Sequence, residues 1–296
     1  MQVVVVGATG FVGRNVVRQA LAEGHDVVAL VRVAGEARFE VDETEATRFT
    51  VAPFGADAEV LKAGFGVEAG ARVIHVAGLP RERPGVDPLA VHGPLAEEAT
   101  ALAEGLEASC LAALLPLRTE GPDPWSRSHA EAEARLRAAR VPVALLKAAP
   151  LFGPGDGLLD EIGAWMMRSP FIPRFLEEVR LDPLAVEDAS EALLRAPAGE
   201  ASMGGAPWTW GGLLNACAEA AGKTLLGPRL KPETVRAWGA RLGTRRFWND
   251  LVPFTDAGFE RHAQGYPVAP NAAEALLGRA PHRIQDYLRE AWPCRA

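Results

Sequence analysis

The chain has 296 residues, and its 31 Lys and Arg against 38 Asp and Glu give a formal net charge of −7. This acidic balance argues against a general nucleic-acid-binding protein. The length suffices for one large domain and a smaller lobe. The three cysteines are scattered without disulfide or metal-ligand spacing, so we expect plain thiols, a reducing compartment and no bound metal. They are Cys110, Cys217 and Cys294.

No segment of the sequence indicates export or membrane insertion. The first predicted strand begins at residue 3, which leaves no room for a signal sequence before it. No apolar run reaches the length that spans a bilayer. We therefore expect a cytoplasmic protein.

The chain opens with a strand, a glycine turn and a helix. The β-branched apolar run at 3–6 is typical of a strand buried on both faces, and residues 15–22 have helical apolar spacing. The glycines between them have the spacing of a dinucleotide-binding turn, which brings a pyrophosphate to the backbone at the helix N-terminus. The predicted cofactor contacts in this turn are Gly7, Thr9, Gly10, Phe11, Val12 and Gly13.

The end of the second strand bears on the choice of cofactor. Residues 26–31 form a second apolar run, and chains that prefer NAD often place an acid at its end to bind the ribose 2′-hydroxyl. Here Arg32 stands at that place, and the next acid is Glu36. A guanidinium suits a 2′-phosphate, so we favour NADP(H). Arg32 as a plain exposed arginine, or stacked on the adenine of either cofactor, stays an alternative.

Further strands and helices alternate along the chain. This alternation predicts an α/β fold of the Rossmann type, a doubly wound parallel sheet with helices on both faces. Strands are predicted at 48–52, 71–78, 111–115 and 143–146, and helices at 58–63, 89–106 and 123–140.

The fourth predicted strand, 71–78, ends beside the expected cofactor. Because the carboxyl ends of the strands in such a sheet face the ligand, Val76, Ala77 and Gly78 are predicted to line the ribose region. His75 lies inside this strand, and we expect a core histidine whose hydrogen bonds are satisfied rather than a catalytic residue.

Beyond residue 157 the alternation weakens. A helix at 158–168, a strand at 179–186 that returns to the sheet and a helix at 187–196 are predicted, followed by helices near 211–222, 232–242 and 271–277. We predict a Rossmann domain at 1–197, with 151–178 contributing to a small α-rich lobe formed by 198–296. Its aromatic residues are interpreted first as core, with a substrate wall or a partner surface as alternatives. They are Trp238, Phe247, Trp248, Phe254 and Phe259.

Several motifs in this order resemble a known family. They are Gly7-x-x-Gly10-x-x-Gly13, Arg32, Ile74–Gly78, Ser126–Glu133, Leu146-Lys147, Phe152–Gly157 and Leu184–Ser190. Together they are similar to the extended and atypical short-chain dehydrogenase/reductases, the NAD-dependent epimerase/dehydratase superfamily, over about the first 200 residues. The segment 125–157 is most similar to the branch of the nucleotide-binding accessory subunit of respiratory complex I. The resemblance implies a bound dinucleotide, with His129 and Lys147 among its contacts.

The sequence departs from this family where proton transfer is expected. Active members use Tyr-x-x-x-Lys on the helix after the fifth strand, with a Ser from the end of that strand. Trp125 and His129 stand at the Tyr and Lys positions, and the strand end offers no Ser or Thr before Thr119. An indole N–H has no useful acidity, so Trp125 cannot supply the proton.

Three functions are compatible with this pattern. The favoured one is a cofactor-holding module with a structural, regulatory or redox-sensing role. The second is an NADP-dependent reductase or an epimerase/dehydratase whose chemistry uses His129, Ser126 or Tyr266 instead, although His129 is equally well interpreted as a surface histidine. The third is an interaction protein with an empty cleft, in which Trp238 and Trp248 contact a protein partner.

Overall fold

The structure, a computed structural model, describes most of the chain in two compact units. The described residues are 1–32, 39–79, 85–156, 159, 162–163, 166, 174–231, 233–234 and 256–290. The first unit comprises 1–148, 186–203 and 270–280, and the second comprises 149–185, 204–269 and 281–296.

Helices and strands are numbered here in chain order. The strands are Gln2–Val6 (β1), Asp26–Val31 (β2), Phe49–Pro53 (β3), Arg72–His75 (β4), Cys110–Pro116 (β5), Val143–Ala148 (β6), Leu151–Phe152 (β7), Arg180–Leu181 (β8), Leu184–Ala185 (β9), Gly199–Met203 (β10) and Trp208–Thr209 (β11). The helices are Phe11–Ala22 (α1), Glu43–Ala46 (α2), Ala58–Phe65 (α3), Leu89–Gly105 (α4), Pro124–Arg137 (α5), Val186–Arg195 (α6), Trp210–Ala220 (α7), Asp256–Ala263 (α8), Ala273–Leu277 (α9) and Ile284–Glu290 (α10).

The first unit is built on a seven-stranded parallel sheet. Its strand order is β10-β6-β5-β4-β1-β2-β3. The order reverses between β1 and β4, and ligands of such sheets bind in the crevice that opens there at the carboxyl ends of the strands. The predicted Rossmann-type fold is confirmed.

One apolar cluster of this unit packs α3, α4 and α5 against the sheet, and α1 and α6 bury further apolar residues. Its fully buried leucines each contribute roughly 1.5–3 kcal/mol through the hydrophobic effect. They include Leu61, Leu106, Leu111, Leu136 and Leu145.

A buried arginine ties β4 to helix α6. The Arg72 side chain donates from Nε to the carbonyl of Leu193 at 2.8 Å and from Nη2 to the carbonyl of Ala196 at 2.7 Å. Leu193 is in the last turn of α6, where carbonyl groups lack partners within the helix, and Ala196 directly follows the helix. A cation at this end is also favoured by the helix dipole.

One predicted strand is wrong. Residues 179–186 do not join the large sheet. Instead β8 pairs antiparallel with β11 and β9 pairs parallel with β7, in two small sheets of the second unit. Pro183 separates β8 from β9 because it has no N–H to donate to a ladder.

The strand that extends the large sheet is β10. It pairs with β6 from Gly199 opposite Ala144 to Met203 opposite Ala148. Its sequence, Gly-Glu-Ala-Ser-Met, contains no β-branched residue, and β-branched residues are the ones that most favour strands. Tertiary pairing therefore overrides a weak local preference.

The two units also divide the chain differently from the predicted boundary after residue 197. Strand β10 and the segment 270–280 belong to the first unit. Within that segment, the N–H of Ala272 donates to the carbonyl of Ser202 at 2.8 Å, and Arg279 pairs with Asp188 at 2.9 Å. The predicted helix at 271–277 forms as α9 and belongs to the first unit rather than to the lobe.

The second unit has its own apolar core around helix α7. This helix begins at Thr209, whose Oγ1 accepts a hydrogen bond from the N–H of Gly212 at 3.0 Å. The predicted helices at 158–168 and 232–242 lie wholly or mostly outside the described residues, as do four of the five predicted lobe aromatics and the side chain of Phe259. Within the described ranges, no helix has both the length and the hydropathy needed to cross a bilayer.

Candidate functional site

The predicted glycine turn connects β1 to α1 and leaves no space for side chains at two of its glycines. Gly7 has φ of +92°, which L residues with a side chain rarely adopt, and a Cβ there would lie 2.6 Å from the N of Ala77. A Cβ on Gly13 would lie 2.1 Å from the carbonyl oxygen of Gly7. The turn therefore packs directly on the end of β4, next to the predicted ribose-lining residues Val76 and Gly78.

Helix α1 presents its N-terminus at this turn. Gly10 is the N-cap residue with φ of −72° and ψ of 172°, no side chain caps the helix, and its first turn contains no acid. The first N–H groups of an α-helix have no acceptor within the helix, and they carry the positive end of the helix dipole. These groups belong to Phe11, Val12 and Gly13, and Thr9 and Gly10 before them are exposed. The geometry fits the pyrophosphate of a dinucleotide.

Ser126, a candidate for relocated chemistry, is part of the start of helix α5. Asp123 caps this helix by accepting from the N–H of Ser126 at 3.1 Å, and its other carboxylate oxygen accepts from the Ser126 hydroxyl at 2.7 Å. Ser126 is fully buried. Its hydroxyl proton is therefore held by the capping carboxylate.

Trp125 and His129, at the Tyr and Lys positions, lie in a buried aromatic cluster with His92 of α4. His129 stacks on His92 with ring centroids 4.0 Å apart, and Trp125 contacts both imidazoles edge-on at 4.8 and 5.1 Å. Only 7% of His129 is exposed, so its interpretation as a surface histidine is wrong. We call Trp125, His129 and His92 the aromatic cluster.

The hydrogen bonds of His92 assign it a neutral tautomer. The Ser128 hydroxyl donates to the carbonyl of Trp125 at 2.7 Å, so it accepts from Nδ1–H of His92 at 2.8 Å. Nε2 of His92 accepts from the N–H of Leu79 at 3.1 Å. Burial lowers the pKa of His92, in agreement with an uncharged ring. His92 could not be identified from the sequence, because a single histidine in an alanine-rich helix gives no signal.

His75 lies in the core as predicted, but its hydrogen bonds are not all satisfied. Nδ1 of this histidine is buried and has no hydrogen-bond partner in the part of the chain that the structure describes. Burial, and secondarily the neighbouring His92, lower the pKa of His75 to about 4. The expectation that His75 lies in the core is therefore right, but the expectation that its hydrogen bonds are satisfied is wrong.

Lys147, a predicted cofactor contact, pairs with a buried carboxylate. Its Nζ lies 2.7 Å from Oε1 of Glu133, and the Thr119 hydroxyl donates to Oε2 of Glu133 at 2.9 Å. Arg137 also contacts Oε1 at 2.5 Å. The sequence offered one signal for Glu133, its position four residues after His129 on the same helix. A contact between Lys147 and a cofactor stays a prediction.

Tyr266, the third candidate for relocated chemistry, belongs to the second unit. There it lines a cavity of about 180 Å³ together with His262, whose ring centroid is 6.0 Å from its own. Among the described residues no group of three His, Cys, Asp or Glu side chains is placed to hold a metal ion. Cys110 and Cys217 are buried free thiols.

The curated proteins that this chain resembles include a ceramide reductase. The chain is 30% identical over 206 residues to the ceramide reductase of Caulobacter vibrioides, which is 65% of this chain and 59% of that protein. The chain therefore spans less than two thirds of the length of this relative.

Solved structures of similar fold include epimerases. A nucleoside-diphosphate-sugar epimerase from Staphylococcus aureus has a TM-score of 0.71 at 16% identity, over 98% of this chain and 100% of that one. The UDP-glucuronic acid 4-epimerase of Bacillus cereus, solved with NAD, has a TM-score of 0.68 at 14% identity, over 98% and 97%. Residues 3–81, which contain the glycine turn, match the model of the NAD dependent epimerase/dehydratase family. In fold and in this amino-terminal segment, the chain is similar to the NAD dependent epimerase/dehydratase family.

Proposed function

We propose that the first unit binds NADP(H) and holds it without turnover, as a structural, regulatory or redox-sensing module. The observation that carries this proposal is the aromatic cluster. At the two positions where the resembled family has its proton donor and its lysine, Trp125 and His129 are buried against a neutral imidazole. An indole N–H cannot protonate an alkoxide.

The cofactor half of the proposal is supported by the glycine turn. Side chains at Gly7 and Gly13 would collide with backbone, and the first turn of α1 is uncapped and free of acids. When bound, NADP(H) would supply hydride chemistry. The residues of this chain would hold its pyrophosphate at the turn and its adenosine ribose beside Arg32.

The preference for NADP(H) over NAD(H) rests on Arg32. This exposed residue directly follows β2, the strand next to β1 in the sheet. A guanidinium forms charge-assisted bonds with phosphate oxygens, whereas the ribose 2′-hydroxyl of NAD is usually read by an acid. The solved Bacillus cereus epimerase holds NAD, so this preference is a point on which the two proteins would differ.

The substitution Arg32→Asp tests the preference. We expect NADPH to bind about 10–100-fold more weakly, because a charge-assisted bond contributes about 1.5–3 kcal/mol, and NADH to bind no more weakly than before. Calorimetric titration of both nucleotides gives the ratio. Arg283→Asp, which changes an exposed arginine of the second unit, is the matched control. An NADPH-to-NADH ratio that Arg32→Asp leaves unchanged contradicts the assignment.

The same proposal includes the branch of the family that the chain is related to, its location in the cell and its binding partner. The motifs at 125–157 support kinship with the branch of the complex I accessory subunit, whose members keep a nucleotide without turnover. We propose a cytoplasmic location and a protein partner for the carboxyl-terminal lobe.

A second candidate function is an NADP-dependent reductase or an epimerase/dehydratase with relocated acid and base groups. The match to a ceramide reductase, at 30% identity over 206 residues, favours it. The candidate acid and base groups are His129 in the first unit and Tyr266 in the second. Ser126 is the weaker candidate because its proton is held by Asp123.

Turnover separates the two candidates. With NADPH bound to the protein, we expect no loss of absorbance at 340 nm on adding ketones, aldehydes, quinones or sugar nucleotides, because the indole of Trp125 cannot supply the proton. Carbonyl-dependent oxidation that His129→Ala or Tyr266→Phe abolishes would establish the second candidate. Tyr287→Phe is the control, since Tyr287 packs on Phe152 at 5.7 Å within the second unit. Titration of NADPH in the same samples reports binding separately from turnover.

A further inference from the structure

The second unit contains a cavity that the proposed function does not use. It has a volume of about 180 Å³ and lies among β7, β8, α7, α8 and α10. Its walls are mostly apolar, with Phe152, Leu159, Leu181, Leu213 and Ile284 contributing aliphatic and aromatic surface. An apolar cavity of ~150 Å³ in another protein stays dry and binds benzene, so a volume of this size takes a ring or a short chain.

The polar groups at this cavity carry no charge at neutral pH. Burial lowers the pKa of His262 to about 4, so its imidazole is neutral. None of the described residues that line the cavity is Lys, Arg, Asp or Glu. The phosphates of a nucleoside diphosphate bind best to cationic side chains, and the described residues of these walls include none.

A buried N–H donor in the cavity wall favours a ligand that carries a hydrogen-bond acceptor. Nε1–H of Trp210, whose ring also lines the cavity, has no hydrogen-bond partner among the described residues. A buried donor without an acceptor is unfavourable, so an occupant with one uncharged oxygen is favoured over a pure hydrocarbon. The Trp210 ring contacts His262 edge-on at 4.8 Å, which places both aromatic side chains on one wall.

We propose that the second unit binds a small uncharged apolar molecule, or the apolar end of a larger one, with a single oxygen acceptor in this cavity. All the described residues that line this cavity belong to the second unit, whereas the residues of the proposed dinucleotide site belong to the first. The chemical class differs from that of the sugar nucleotide bound by the solved Bacillus cereus epimerase.

The probe for this site is 1-hexanol, titrated by calorimetry into the full chain with and without NADPH. We expect one saturable site with a dissociation constant of about 1 mM, from burial of the six-carbon chain. Leu213→Trp, which fills the cavity, is expected to weaken binding at least about tenfold. Leu226→Trp is the matched control, because Leu226 is an exposed leucine of the same unit. Absence of saturable binding, or equal binding by both variants, overturns the proposal.

Two further measurements keep the test decisive if Leu213→Trp fails to fold. Ile284→Ala enlarges the cavity, so we expect 1-octanol to gain affinity relative to 1-hexanol by about tenfold; an unchanged ratio overturns the proposal. UDP-glucose is expected not to displace 1-hexanol. Displacement would assign the cavity to sugar nucleotides and overturn the apolar class.

Discussion

The substitution Gly10→Asp is expected to abolish tight NADPH binding while leaving the fold intact. Gly10 has the extended φ and ψ of an N-cap residue that any amino acid adopts, and a Cβ there would lie 3.3 Å from the carbonyl oxygen of Gly7, which need move only a few tenths of an ångström. Asp is a favoured N-cap residue and stabilises a helix slightly relative to Gly. We therefore expect the melting temperature to stay the same or to rise slightly.

The same carboxylate would lie at the proposed pyrophosphate site. At 5 Å and an effective dielectric constant of about 20, it repels each phosphate charge by about 3 kcal/mol. The expected loss of NADPH affinity is therefore at least about 100-fold, measured by calorimetry. Gly10→Ser adds a neutral cap of similar size and is expected to lose less than about tenfold. Equal NADPH affinity in Gly10→Asp and the unmodified chain would rule out the pyrophosphate site.

Acid is expected to destabilise the first unit through His75. The pKa of this histidine falls from 6.5 in the unfolded chain to about 4 in the folded protein, mainly through burial. Above pH 6.5 the ring is neutral in both states and its contribution is fully present. Between pH 6.5 and 4 only the unfolded chain takes up the proton, so stability falls with pH by about 1.4 kcal/mol per unit, or about 3 kcal/mol in all. Below about pH 4 this loss is complete.

The variant His75→Leu isolates this contribution. It removes the titrating group and the buried Nδ1 without a partner, so we expect it to be at least as stable as the unmodified chain at pH 7. At pH 5 its advantage is expected to be larger by about 2 kcal/mol. Urea unfolding followed by circular dichroism at both pH values measures the difference. His282→Leu, at an exposed histidine, is the control. An advantage of His75→Leu that is the same at pH 7 and pH 5 would disprove the linkage.

Most strands of the first unit could be predicted from the sequence because they are apolar runs with a strong local preference for β structure. The valine run of β1 and the glycines after it combine a strong local preference with a steric requirement, and the bounds predicted for β2 are those observed. Strand β10 was missed because its five residues carry no such preference and pair only through tertiary contact with β6. The membership of 270–280 in the first unit was missed because it depends on contacts such as the pair between Arg279 and Asp188, which join distant segments.

The sequence indicated which residues form the candidate site, but it did not indicate that their side chains are buried. The positions of Trp125 and His129 followed from the motif register, and the proposal that the proton donor is lost rests on that register. Their enclosure by His92 did not, because His92 lies 33 residues before Trp125 and meets it only through the packing of α4 against α5. The ion pair between Lys147 and Glu133 could not be predicted for the same reason, because it joins the end of β6 to the interior of α5.

The interleaving of the two units constrains how the chain folds during synthesis. The large sheet receives its last strand from 199–203, and the first unit receives its last segment from 270–280, after most of the second unit has been made. Nascent domains commonly fold in order from the amino terminus. Here the sheet of the first unit cannot be completed while residue 203 is still inside the ribosome. A fragment ending near residue 150 would therefore expose the edge of β6 and be prone to aggregation.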